Sequence, residues 1–168
     1  LDDTNIIISY CKKLGFDLGL SRAIILIELE RKENKYFNIN LDLGYDASIE
    51  NLKDELVKEI KSNRYLTSQD IVGFYGNNQI VVVKGFITVA DINKMYLALE
   101  KVCRDILNDL SNNKIFTFYV ASGNFYSNFA DLSKSYKEAQ DTIKIGKSIK
   151  NSPGVYLIDD SLLESVGY

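Results

Sequence analysis

The sequence predicts an α+β fold in which helices pack on one mostly antiparallel sheet. Three observations lead there. Ala23 to Leu29 is an almost continuous apolar run rich in β-branched residues, the pattern of a central strand covered on both faces. Asp70 to Val83 reads as two short apolar strands closed by a tight turn at Gly76-Asn77-Asn78. Ile92, Met95, Tyr96, Leu99, Val102, Cys103, Ile106 and Leu110 form a sustained stripe at helical spacing that must lie on a sheet. With 168 residues, 46% hydrophobic and 26% charged, the chain is long enough for one globular core.

The remaining elements follow in order. Asp3 or Thr4 caps a first helix with Ile7, Tyr10, Cys11 and Leu14 at helical spacing and Gly15 as its stop, exposed unless it finds a partner. After the strand at 23–29, residues 31–47 are polar and aperiodic, a long connection with an extended piece around Tyr36 to Leu41. Ser48 caps a second helix that points Ile49, Leu52, Leu56 and Ile60 one way. The hairpin comes next, then the striped helix capped by Asp91. A strand is expected from Ile115 to Ala121 and a helix from about Asp131 to Ile149 with Leu132, Tyr136, Ala139 and Ile143 facing in. A last strand spans Val155 to Ile158, and Ser161 to Val166 has the pattern of an exit helix.

Composition closes several functional classes. A net charge of −3 and a pI near 5.1 argue against direct nucleic-acid contact by this chain. The absence of histidine removes Ser-His-Asp and Cys-His nucleophile activation and most zinc and iron sites. Cys11 and Cys103 form no CxxC pair, fall on apolar helix faces, and are expected as small reduced core residues. No run of 18 apolar residues and no signal-peptide pattern occurs, so no membrane contact and a cytoplasmic location are expected. The chain starts at Leu1 rather than methionine, as expected of a piece of something longer.

The hairpin resembles the one that carries the GGDEF signature of diguanylate cyclases, with Gly76-Asn77-Asn78-Gln79-Ile80 standing in place of Gly-Gly-Asp-Glu-Phe. The resemblance implies a nucleotidyl-cyclase palm of ferredoxin-like type. It also implies that a turn which holds metal-binding acids in that family here offers neutral amides. Mg²⁺ is held through one or two carboxylates plus substrate phosphates, and an amide brings no charge. No catalytic residue, metal or cofactor is therefore expected. Asp70 matches the aspartate of the family's inhibitory RxxD site, but Thr67 stands at the arginine position, which puts product feedback in doubt.

Glu28 and Glu30 fall where cyclases place an acidic metal ligand, and their alternation sets both on one face. They read either as a remnant metal site or as solvated strand-end charges, the second being favoured. Ala139-Gln-Asp-Thr-Ile-Lys-Ile-Gly-Lys147 is similar to the cyclase helix written AD-x-AL-Y-x-AK, which makes Lys147 a phosphate contact or an ordinary lysine at a helix C-terminus. The degenerate pocket thus implied comprises Glu28, Asn77, Asn78, Gln79 and Lys147.

A second resemblance covers the whole chain. Residues Lys13 to Ile27, Gly123 followed by Leu132-Ser-Lys-Ser-Tyr-Lys-Glu-Ala139, and Val155 to Glu164 are similar to the GGDEF-like middle domain of CdaR/PucR-type regulators, the carbohydrate-diacid and purine-catabolism transcription factors. It implies a connector helix at 1–20, the degenerate domain at 21–160, and at 161–168 the start of a connector to a helix-turn-helix domain. The implied partners are a second copy and, within the longer chain, an effector sensor and that DNA reader. Tyr10, Tyr36, Tyr45, Tyr119 and Tyr126 are either interface aromatics or ordinary half-buried tyrosines. Two other functions stay open: a ligand sensor that keeps the pocket without turnover, and a divergent cyclase using Glu28, Glu30 and Asp70.

Overall fold

The computed structural model describes residues 3–32 and 45–157. In chain order these hold α1 (Asp3–Lys13), β1 (Ser21–Arg31), α2 (Tyr45–Lys61), β2 (Ile71–Tyr75), β3 (Gln79–Phe86), α3 (Ile92–Leu110), β4 (Phe116–Ser122), a short 3₁₀ turn (Phe129–Asp131), α4 (Leu132–Ile149) and β5 (Gly154–Tyr156). The extended piece expected at Tyr36 to Leu41, the exit helix at Ser161 to Val166 and the connector at 161–168 lie outside the described residues. So do Ile158 and the side chains of Asp3, Thr4, Ile7, Tyr45 and Ser48.

The strands form one sheet in the order β2-β3-β1-β4-β5. β1 pairs antiparallel with β3 and β4, β2 pairs antiparallel with β3, and only β4 and β5 run parallel. The expected α+β class and mostly antiparallel sheet are thus found. β1 lies in the middle because its sequence tolerates no wet face. Ala23, Ile25, Ile27 and Leu29 point into a core closed by Leu56 and Ile60 of α2 and by Leu99, Val102, Cys103 and Ile106 of α3. Leu26 points the other way, to Tyr119, Ala121 and Tyr156 and to Ala139 and Ile143 of α4. Fully burying one such aliphatic side chain is worth roughly 1.5–3 kcal/mol, so a strand buried on both faces is held far more firmly than an edge.

Several sequence expectations need correction. α2 begins at Tyr45, three residues before the expected Ser48 cap. Asp91 does cap α3, its carboxylate accepting from Asn93 N at 3.0 Å, but Ile92 and Tyr96 at the head of the stripe are 48% and 38% exposed. The first turn of α3 overhangs the sheet. Cys103 is a core residue as expected, whereas Cys11 is only half-buried because α1 has no extended packing against another element among the described residues. Tyr119 belongs to the core, 4% exposed, since β4 is covered by α4 on that face.

Candidate functional site

At the hairpin end of the sheet, the register sets Glu28 opposite Gln79 of β3 and Tyr119 of β4. Alternation along β1 turns Glu28 and Glu30 to the face that α4 crosses. From α4, Lys147 Nζ donates to Glu28 Oε2 at 2.7 Å and lies 3.6 Å from Glu30 Oε2. The same ammonium sits 4.4 Å from the centroid of the Tyr119 ring. Glu28 is therefore no free strand-end charge: its side chain is 19% exposed and already carries a counter-ion. Lys147 likewise does more than complement a helix dipole. The hydrogen bond to Glu28 raises its pKa above the ordinary 10.5, against the opposing effect of burial. Burial first, then Glu30, raises the Tyr119 hydroxyl.

Gln79 joins this group through its side chain and the turn through its backbone. The Tyr136 hydroxyl donates to Gln79 Oε1 at 2.5 Å, and the Tyr75 ring meets the Tyr136 ring edge-on at 5.5 Å. The Asn78 carbonyl accepts from Leu29 N at 2.8 Å, which stitches the turn to β1, and Gly76 enters the turn at φ 68. The amides of Asn77 and Asn78 stay exposed. A cavity of about 400 Å³ is lined by Glu28, Gln79, Ile143 and Lys147 together with Lys137, Gln140, Asp141 and Lys144 of α4. Three of the five expected residues, Glu28, Gln79 and Lys147, thus share a wall, while Asn77 and Asn78 do not line it. Lys144 and Gln140 escaped sequence reading, although 137, 140, 144 and 147 repeat at helical spacing. Lys137 Nζ is spoken for by Asp141 at 2.9 Å.

Charges of both signs line the cavity, Lys137, Lys144 and Lys147 with Glu28 and Asp141. Two carboxylates converge here, but one ammonium lies between them. Among the described residues no group of three or more His, Cys, Asp or Glu side chains could hold a metal ion.

At the opposite end of the hairpin, Asp70 Oδ1 accepts from Gly85 N at 2.8 Å and Oδ2 from Thr67 N at 2.8 Å and Lys84 Nζ at 3.0 Å. The Asp70 and Lys84 side chains are 1% and 8% exposed. Every oxygen is used in holding the entry to β2, so Asp70 is a structural buried pair here. It also lies far from Glu28. Gly85 and Gln79 are six residues apart on β3, about 20 Å at strand rise. Glu28, Glu30 and Asp70 do not form one catalytic group.

The segment from Ser135 to Ala139 proves to be a fastener. Ser135 Oγ accepts from Ile24 N at 2.9 Å and donates to the Asn124 carbonyl at 2.7 Å, tying α4 to β1 and to the loop after β4. A Cβ at Gly123 would collide with the Ser135 carbonyl, which is why glycine stands there. Glu138 accepts from Asn124 N at 3.0 Å, Asn124 Nδ2 at 2.7 Å and the Tyr126 hydroxyl at 2.9 Å. Tyr126 is thus committed within its own domain.

Comparison with known proteins agrees with this architecture. Residues 2–145 match the family model described as "GGDEF-like domain". The GGDEF domain of YfiN, or TpbB, from Pseudomonas aeruginosa is similar in structure, with 12% identity, a TM-score of 0.58 and coverage of 93% of this chain and 91% of that one. The active GGEEF domain of a diguanylate cyclase from Vibrio cholerae gives 12% identity, a TM-score of 0.57 and coverage of 92% and 91%. An EAL/GGDEF domain protein from M. capsulatus gives 15%, 0.54, and 90% and 97%. At these identities the likeness is one of fold. No curated protein matches the chain.

Proposed function

We propose, from the premise that the chain belongs to the GGDEF-like domain family, that this is a non-catalytic coupling domain of a CdaR/PucR-type transcriptional regulator. One observation carries the non-catalytic half. It is the turn Gly76-Asn77-Asn78-Gln79-Ile80, in which Asn77 and Asn78 are exposed and the Gln79 side-chain oxygen accepts from the Tyr136 hydroxyl at 2.5 Å. It offers neutral groups where the family's signature has acids. Phosphoryl transfer depends on positioning and on charge stabilisation by metal, and neutral amides bring no charge to hold that metal.

The coupling half rests on the resemblance of the fastening segment Ser135 to Ala139 to such regulators, and on α1. Ile6 and Tyr10 of that helix and Leu14 just past its end are 58%, 63% and 60% exposed, an apolar stripe with no cover among the described residues. In the proposed cytoplasmic regulator α1 connects to an effector sensor and supports a dimer, and a helix-turn-helix beyond this chain reads DNA. No helix of the described residues is long and apolar enough to cross a membrane.

The test is a thermal melt with GTP, ATP and cyclic di-GMP, each with and without Mg²⁺ or Mn²⁺, followed by product analysis. Saturation at a hundred times the dissociation constant stabilises by about 2.7 kcal/mol. The expected result is no metal-dependent shift and no product; product from GTP or ATP overturns the reading in favour of a divergent cyclase. A second reading is favoured by the cavity of about 400 Å³ with Lys144 and Lys147 on its wall. There the domain binds an anionic ligand without turning it over, and a metal-independent shift without product would select it.

A further inference from the structure

β2 is an edge of the sheet, and among the described residues no strand pairs with its outer side. A sheet edge presents unpaired N–H and C=O groups, which proteins ordinarily blunt with charge, proline, a bulge or brevity. β5, the other edge, is blunted: it has three residues and directly follows Pro153. β2 is not. Its five residues, Ile-Val-Gly-Phe-Tyr, hold neither charge nor proline, and they meet β3 one to one without a bulge.

The two faces of β2 differ. Val72 and Phe74 turn into the core shared with α2. Ile71, Gly73 and Tyr75 alternate onto the opposite face, where α4 packs on β1, β4 and β5 and meets β2 at the edge-on contact of Tyr136 with Tyr75. Ile71 and Tyr75 are 39% and 62% exposed. Gly73 between them has no cause among the described residues: its φ is not positive, and a Cβ built there would meet nothing within 4 Å. Gly123, by contrast, is required by the Ser135 carbonyl against it. A glycine inside a strand weakens it, and one that neither local conformation nor internal packing demands marks a place where another chain comes close.

We propose that the edge of β2 pairs antiparallel with the β2 edge of a second copy, centred on Gly73, so that one sheet runs through both molecules. The segment is self-complementary in this register. Gly73 faces the partner's Gly73, Ile71 faces the partner's Tyr75, and Tyr75 faces the partner's Ile71, the reciprocity that a two-fold dimer requires. Aromatic–β-branched pairs of this kind stabilise adjacent strands, and the two tyrosine rings flank the bare glycines between them. No charges oppose one another, since the strand has none. Any extended peptide would gain the main-chain bonds, but the placement of Ile71 and Tyr75 about the glycine matches the chain's own edge. The pairing rests on the coupling reading for its purpose, placing that reading's dimer on the sheet, and on the edge itself for its existence.

Sedimentation velocity on the chain up to about 500 μM, a range suited to a small interface, should show a reversible monomer–dimer equilibrium. Ile71→Lys and Tyr75→Lys each put a charge on an exposed edge position and should weaken the dimer by about tenfold or more while the urea midpoint holds. In a Cys11→Ser background, with Cys103 buried, Ile71→Cys mixed with Tyr75→Cys should be joined by a short thiol cross-linker faster than either variant alone. Amide exchange in β2 should slow as concentration rises. A monomer throughout the range, a dimer that survives both lysines, or self-cross-linking as fast as that of the mixture would overturn the proposal. So would β2 amides protected equally at every concentration, which would mean that the chain covers its own edge. A dimer formed through another surface would leave the coupling reading standing, and the nucleotide melts bear on neither result.

Discussion

The sheet carries a carboxylate–lysine pair at each end of the hairpin, and the two pairs have different fates. Asp70 and Lys84 are 1% and 8% exposed, and Asp70 also takes two backbone N–H groups. Glu28 and Lys147 are 19% and 32% exposed and face a cavity. Breaking a buried pair strands the survivor without water, whereas a half-exposed pair reopens to solvent at little cost. The first pair builds the domain, and the second lines a cavity.

That comparison breaks most readily at the buried end. Asp70→Ala should cost about 3–5 kcal/mol, because Lys84 and Gly85 N lose their partner together, and urea unfolding reads it directly. If Asp70→Ala costs under half of that, the pair is not structural. Gly123→Ala tests the fastener on the other side of β1. Overpacking of this kind costs about 1–3 kcal/mol, and a rise in urea midpoint would contradict the close approach to Ser135.

At the open end, Lys147→Met should change stability by about 1 kcal/mol or less. The sharper version adds Asn78→Asp and Gln79→Glu to Lys147→Met. This triple variant should gain Mn²⁺ affinity by calorimetry, while the two turn substitutions alone, with Lys147 still in place, should gain less. Equal gains would mean that Lys147 guards nothing.

The smallest effect is in alkali. Lys147 has its pKa raised by Glu28, so its contribution to stability is fully present below the ordinary 10.5 and is lost as pH rises through the higher folded-state value. The stability difference between the unaltered chain and Lys147→Met should therefore shrink only above about pH 10.5. Burial raises Tyr119 in the same range, so a raised tyrosine also withdraws stability above its ordinary 10.0. A difference that vanishes already at pH 9 would show that the ion pair is not its source. Thiol labelling gives a last check on packing. Burial pushes Cys103 up to about 12, so only the half-buried Cys11 should react with an aromatic disulfide reagent before unfolding.

Much of this fold was legible in local patterns. The run from Ala23 to Leu29 announced a strand wet on neither side, and Gly76-Asn77-Asn78 between two apolar runs announced a hairpin. The stripe from Met95 to Leu110 announced a helix on a sheet. The pocket was half legible, since the positions of Glu28, Gln79 and Lys147 came through family resemblance while their contact did not. Asn77 and Asn78 came in through the same signature, as the residues at its second and third positions, but a tight turn points its tip outward. Tyr119 read as an interface or half-buried tyrosine because nothing in β4 alone tells which face α4 will cover.

By itself, then, the sequence determined periodicity and local chemistry: which segments alternate, where turns and caps stop them, and that the hairpin turn carries amides instead of acids. Those depend on neighbours within a few positions. Only the tertiary structure decided that Lys147 would meet Glu28 across 119 residues and that Asp70 would be consumed by Lys84. Such pairings follow from sheet register and from the crossing of α4 over β1, and both are fixed by burying apolar surface on two faces of one strand. The charges were carried to their partners by a core that contains none of them.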